Sequence, residues 1–149
     1  MIKFSKLIKG KVLRFSINNI CPCGSKKKYK KCCKIYHDGT LPQNALLLMK
    51  SRYSAFVINN SKYIIKTTHE KNPDYTQNIE TWKKSLEKFS LLTDFKKLHI
   101  IEFIDGEAEA FVTFKAEIFQ NGSDISFIEK SRFLKEDNRW LYINGEIKD

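Results

Sequence analysis

Four cysteines confined to one short segment set the strongest constraint on how this chain can fold. Cys21, Cys23, Cys32 and Cys33 lie in CPCGSKKKYKKCC, residues 21–33, as a C-x-C pair, eight intervening residues and a C-C pair. Tetrahedral zinc takes four soft ligands, and two closely spaced pairs let one tight turn and one helical turn deliver two each. Pro22 stiffens the first pair, and Gly24 lets the backbone turn beneath the ion. Ser25 is positioned to cap a short helix through Lys28, Tyr29 and Lys31 that presents Cys32 and Cys33. The expected cofactor is therefore one structural zinc ion on Cys21, Cys23, Cys32 and Cys33. His37, four residues beyond, could replace a thiolate, but four cysteines already complete the shell. A closed shell leaves no open position for catalysis.

Disulfides and free structural thiols are the competing readings. Four cysteines permit three pairings; two leave bridges across this short segment, and the third needs a strained vicinal Cys32–Cys33 bond. Residues 1–20 lack the uninterrupted apolar run of a secretory signal, so the expected location is the cytoplasm, where thiols are kept reduced. No stretch approaches the about 20 apolar residues of a membrane span.

Charge divides the chain in the same place. The net charge of +10 resides in the front quarter: residues 1–37 carry eleven of the 27 basic residues and none of the 17 acidic ones. Such asymmetry speaks of partners rather than fold. Lys26, Lys27, Lys28, Lys30, Lys31 and Lys34, with the arm's Lys3, Lys6, Lys9, Lys11 and Arg14, suit an anionic partner. Ribosomal RNA is the first expectation; a secretion component or a membrane surface is the second. A lysine-rich solvated face would explain the number of cations, though not the absence of acids. Residues 1–19 read as a basic arm, in which Leu13, Phe15 and Ile17 alternate as a short strand would, while Ile2, Phe4, Leu7 and Ile8 keep no clean period.

The cysteine segment resembles the SEC-C motif, the small zinc module at the carboxyl end of the SecA translocation ATPase and in many bacterial proteins. The run YHDGTLPQNALLLMKSRYSAF that follows is similar to the YchJ family, in which that module precedes a domain like nuclear transport factor 2. The likeness continues through Thr68-His69, Trp82, the FVTFKA segment from Phe111 and the EKSRF segment from Glu129, and ends near Arg139–Gly145. It departs at the front, where about nineteen residues precede a motif that in the family starts close to the beginning. Beyond the arm at 1–19, which lies outside the likeness, the resemblance implies a SEC-C motif at 20–37 and an α+β domain at 38–149. The last would be a cystatin-like cone of helices packed on a curved antiparallel sheet. SEC-C modules are similar to protein-docking elements, so an acidic protein surface stays open as a partner.

Periodicity gives the same α+β class independently. Thr40-x-x-Gln43 with Pro42 reads as a capping box, followed by a helical stripe of Ala45, Met49, Tyr53 and Phe56 with Leu48 and Arg52 beside it. Asn59-Asn60 ends that helix and opens a short one carrying Tyr63 and Ile64; Pro73-Asp74 opens a loop before a third with Ile79, Trp82, Leu86 and Phe89. Strands are expected at about 97–104, 109–119, 125–134 and 139–144, with Asp105-Gly106 and Asn121-Gly122 as hairpin turns.

A cone can enclose a pocket, for which Tyr53, His69, Trp82, Glu129 and Arg132 are the candidates. On a strand Glu129 and Ser131 share a face with Phe127 and Phe133, whereas Arg132 points the other way. A carboxylate among apolar neighbours could serve as an acid or base, but isolated polar residues are more often structural, and no phosphate loop, nucleophile elbow or catalytic metal motif is present. The reading is therefore a non-catalytic zinc-binding protein whose basic module docks on a partner, with a ligand-binding or enzymatic cone as the alternative. Either a monomer or a homodimer is compatible with it.

Overall fold

The chain builds a four-stranded antiparallel face from consecutive hairpins and lays its helices across it. In the computed structural model residues 3–8 and 11–149 are described, with side chains from Phe15 onward. Strands β1 (Lys3–Ile8) and β2 (Lys11–Ser16) pair as an antiparallel hairpin. A 3-10 turn at Tyr29–Lys31 leads into helix α1 (Cys33–His37). Helices α2 (Ala45–Val57), α3 (Ser61–Lys66) and α4 (Ile79–Leu92) follow. The sheet comprises β3 (Asp94–Ile104), β4 (Glu109–Gln120), β6 (Phe127–Glu136) and β7 (Arg139–Lys148) in the order β3-β4-β6-β7, with the short β5 (Ser123–Asp124) paired to β4.

The arm is more regular than its sequence suggests. Alternation from Leu13 to Ile17 marks β2, but β1 shows no such signal. The side chains of Phe4, Lys3, Lys6, Lys9, Lys11 and Arg14, on which the anionic-partner expectation partly rests, lie outside the described residues. Phe15 stands edge-on to Tyr29 with centroids 5.2 Å apart, so the hairpin is anchored on the cysteine segment.

Two expected caps are corrected. Helix α2 starts at Ala45, and its cap is Asn44, whose side chain accepts from the Leu47 amide at 2.9 Å; the Thr40–Gln43 box lies outside the helix. Asn44 has the extended backbone of an N-cap, φ −147° and ψ 170°, which turns its side chain back toward that amide. Ser25 caps no helix either. Lys26 takes a left-handed φ of 69°, which breaks the chain direction, and Ser25 Oγ instead accepts from the Lys27 amide at 3.2 Å. Asn59, at φ 64°, ends α2, and Asn60 caps α3 through the Tyr63 amide at 3.2 Å.

Every second residue of β4, from Ala110 through Val112, Phe114 and Ala116 to Ile118, is buried on one face. That face receives α2, which is buried on several sides at once: Leu48, Met49, Ser51, Arg52, Tyr53, Ser54 and Ala55 are all buried. Bulges in the β3–β4 pairing at Phe95/Lys97 and Ile100/Glu102, and in β6–β7 at Arg132/Phe133, bend the sheet round the helices. Asp137 and Asn138, both at positive φ, close β6 to β7 in a two-residue turn that the hairpin signals named from sequence did not include.

His37 ties α1 to α2. Its Nε2 lies 2.8 Å from the Ser51 carbonyl, which only accepts, so Nε2 carries the proton; Nδ1 then accepts from the Tyr29 hydroxyl at 2.6 Å. The ring also packs on Tyr63 at 4.5 Å between centroids. Burial holds its pKa below the ordinary value, consistent with a neutral ring. An unfolded chain binds that proton near pH about 6.5, so this stability is present above that pH and is lost as the pH falls toward the lower folded value. Denaturation midpoints measured from pH about 7.5 to about 5.5 should therefore fall more steeply for the native protein than for His37→Gln, because acid acts on the cysteines of both alike.

Candidate functional site

The cysteine cluster is assembled by backbone turns rather than by a preformed helix. The Cys21 amide donates to the Lys27 carbonyl at 2.8 Å, folding the segment back on itself, and Gly24 at φ +87° makes the return. A side chain at Gly24 would meet no neighbour, so glycine is required there for its backbone angle alone. The 3-10 turn then sets down Cys32, and the first residue of α1 is Cys33.

One ligand atom from each of Cys21, Cys23, Cys32 and Cys33 lies within 4.8 Å of the others, and the Cys23 and Cys32 sulfurs are 3.6 Å apart. All four are free thiols, three of them buried. Tetrahedral zinc–sulfur bonds of about 2.3 Å place ligand sulfurs about 3.8 Å apart, so this donor set fits a metal ion in number, chemistry and spread. Hydroxyls surround it: Ser25 Oγ lies 3.1 Å from the Cys32 sulfur, and Ser54 Oγ donates to Cys33 at 3.3 Å while sitting 3.5 Å from Cys21. Donors of this kind steady metal-bound thiolates.

The crowding has an electrostatic signature. Hydrogen bonding from Cys23 and Cys33 draws the Cys21 pKa far down, whereas the Cys21 partner raises Cys23 to about 11 and drives Cys33 higher still. One thiolate is thus stabilised at the expense of its neighbours, and ionising the others calls for a cation. Both nitrogens of His37 are committed elsewhere, which leaves that ring outside the cluster.

The lysines expected to face a partner separate into two groups. Lys26, Lys27, Lys28, Lys30 and Lys31 are exposed and make no ion pair among the described residues. Lys34 is half-buried and pairs with Asp38 one helical turn on.

A second candidate site is a cavity of about 260 Å³ between α2, α4 and the sheet. Of the candidates taken from sequence, Tyr53, Trp82 and Glu129 line it together. His69 does not: its amide donates to the Tyr142 carbonyl at 2.8 Å and its ring pairs with Glu136. Arg132 lies on the opposite face of β6, where Nε donates to Glu109 at 2.6 Å. Burial raises the Tyr53 hydroxyl to about 12, so it remains protonated.

Sequence reading missed three residues of this site. Arg52, noted only beside the α2 stripe, is 9% exposed and gives hydrogen bonds from Nη1 to Ile64 O, Thr67 Oγ1 and Thr68 Oγ1. Its one available signal was a guanidinium amid apolar residues at core spacing. Tyr142 donates to Glu129 at 3.0 Å and carries the Arg52 guanidinium 4.7 Å above its ring. Gly145 gives the Glu129 side chain its room, since a Cβ at that position would collide with the carboxylate.

The comparisons agree with this architecture. A family model described as YchJ, middle NTF2-like domain, matches residues 44–145, and the SEC-C motif model matches residues 18–34. A UPF0225 protein of Vibrio parahaemolyticus is 36% identical over 135 residues, covering 87% of this chain and 75% of that protein. One of Serratia proteamaculans is 37% identical over 131 residues, covering 85% and 82%. The solution structure of a SEC-C motif containing protein from Rhodopseudomonas palustris superposes with a TM-score of 0.73 at 27% identity, covering 88% of this chain and 100% of that one. The crystal structure of a SEC-C motif containing protein from Psychrobacter arcticus gives 0.71 at 26% identity, covering 89% and 85%. With a cysteine cluster that can hold a metal ahead of an NTF2-like α+β domain, the chain belongs to the YchJ-like UPF0225 family.

Proposed function

We propose that Cys21, Cys23, Cys32 and Cys33 hold one structural zinc ion, and that the fixed knuckle presents Lys26, Lys27, Lys28, Lys30 and Lys31 to an anionic partner, RNA of the ribosome first. The observation that carries this reading is five exposed lysines, without an ion pair among the described residues, in the same segment as a four-sulfur cluster of which three cysteines are buried. Bound zinc would supply charge neutralisation and crosslinking and no chemical step, because four thiolates leave it no open position. The lysines supply the attraction, strongest at low salt, where displaced counterions gain most. Thiolate ligands persist in a reducing compartment, and the cytoplasm is the location this reading proposes. No described helix is long and apolar enough to cross a membrane.

Metal analysis of reduced protein should return about one zinc per chain. Cys32→Ser should lose the ion and the amide protection of residues 20–37, while the cooperative unfolding of the domain containing Trp82 and Trp140 persists. A knuckle that stays protected without metal would remove the zinc reading.

For the lysines, the slope of log affinity for single-stranded RNA against log salt should be about −3.5 if all five engage. Replacing Lys26, Lys27, Lys28, Lys30 and Lys31 with Ser should flatten that slope while leaving metal content intact. An unchanged slope would exclude this face as the docking surface, and capture of an acidic protein in place of RNA would reassign the partner.

A further inference from the structure

The cone cavity is lined by aromatic rings, with Phe56, Phe89, Phe95, Phe114 and Phe127 around Trp82. An engineered apolar cavity of about 150 Å³ already admits benzene. At about 260 Å³ this one has room for two fused rings.

Arg52 on α2 and Glu129 on β6 bring charge to this apolar space, while the buried Thr68, Asn72 and Ser131 and the exposed Asp74 complete its polar lining. On Arg52 the three protein hydrogen bonds all leave from Nη1, so Nε and Nη2 have no protein acceptor among the described residues. On Glu129 both protein donors, Ser131 and Tyr142, reach Oε2, and Oε1 has none among the described residues. The two charges sense each other, since Glu129 favours the charged guanidinium, yet they make no direct hydrogen bond; Tyr142 stands between them. A bidentate pair would close two N–H donors of the fork on the two carboxylate oxygens, and this pair does not. Here a donor edge and an acceptor oxygen are left to serve the same cavity.

We propose that this cavity binds a neutral small molecule with a two-ring-sized apolar body and an amide-type head group, which accepts from Arg52 and donates to Glu129. Charge selects the head group. A carboxylate would gain Arg52 but face Glu129, and an ammonium would gain Glu129 but face Arg52. An amide satisfies both and takes no net charge out of water. Gly145 belongs to the same device, because any side chain there would push the Glu129 carboxylate aside.

Three probes of one shape, naphthamide, naphthoate and naphthylmethylamine, test the inference on the full chain by NMR titration. Naphthamide should bind about tenfold tighter than either charged probe, with intermolecular NOEs to the rings of Trp82 and Phe95. Glu129→Gln removes one of the two carboxylates that line the cavity and leaves the exposed, solvent-screened Asp74, so naphthoate should become the tightest of the three. Should that variant fail to fold, the order of the probes on the native protein decides alone. Absence of saturable binding by all three at about millimolar concentration overturns the proposal, as does a native preference for naphthoate or an order that Glu129→Gln leaves unchanged.

Discussion

The contact on which the seating of the cysteine knuckle depends is the one that Ser54 makes with the Cys21 and Cys33 sulfurs. A small knuckle without a core of its own needs something to fold against, and here the something is one turn of α2. Ser51 and Ser54, three apart on that helix, are both fully buried; one meets His37 through its carbonyl and the other meets the sulfurs. Ile58, just beyond the helix, completes a small apolar cluster with Cys21, Cys23, Tyr29 and Cys33. Serine is well suited to this place: larger side chains would hold the knuckle off the helix, and alanine would leave sulfur lone pairs without donors.

How much of this could be read in advance depended on whether the signal was local. The cysteine spacing, the Asn59-Asn60 stop, the α4 stripe through Trp82 and the alternation of β4 are all short-range patterns with structural counterparts, although Ile79 at the start of the stripe is exposed. The capping of α2 was misassigned because Thr40-x-x-Gln43 and Asn44 compete at adjacent positions, and the geometry of the chain leaving α1 decides between them. Strand β1 carries no legible period; its pairing with β2 defines it. Pocket residues were harder still. Tyr53, Trp82 and Glu129 converge because three elements meet, whereas His69 and Arg132 look equivalent in sequence and point elsewhere. Arg52 carries no such signal, because a helix stripe ranks residues by apolarity, and a buried guanidinium breaks that ranking only once its partners are known.

Helix α2 explains why the two sites belong to one fold. An amphipathic helix at a protein surface buries one face and wets the other. This helix buries both, so its sequence, ALLLMKSRYSAFV, lacks a strong polar side apart from Lys50 and has small or buried polar residues where a wet face would be. The side bearing Ser51 and Ser54 meets the cysteine knuckle, while Met49, Arg52, Tyr53 and Phe56 line the cavity.

That division has an energetic consequence. Arg52 is charged although burial draws its pKa down to about 10, and its Nη1 is anchored on Ile64, Thr67 and Thr68 where α3 ends. Tyr63, on the same α3, hydrogen-bonds Ser51 at 2.7 Å and packs on His37. A chain of direct contacts therefore runs from the knuckle through His37, Tyr63 and α3 to the guanidinium that borders the cavity. Each link is a hydrogen bond or ring contact between buried groups, and such groups do not shift independently, because an unmatched buried partner costs about 1–3 kcal/mol. The position of Arg52 in the cavity is consequently set by the same packing that seats the cysteine knuckle on α2.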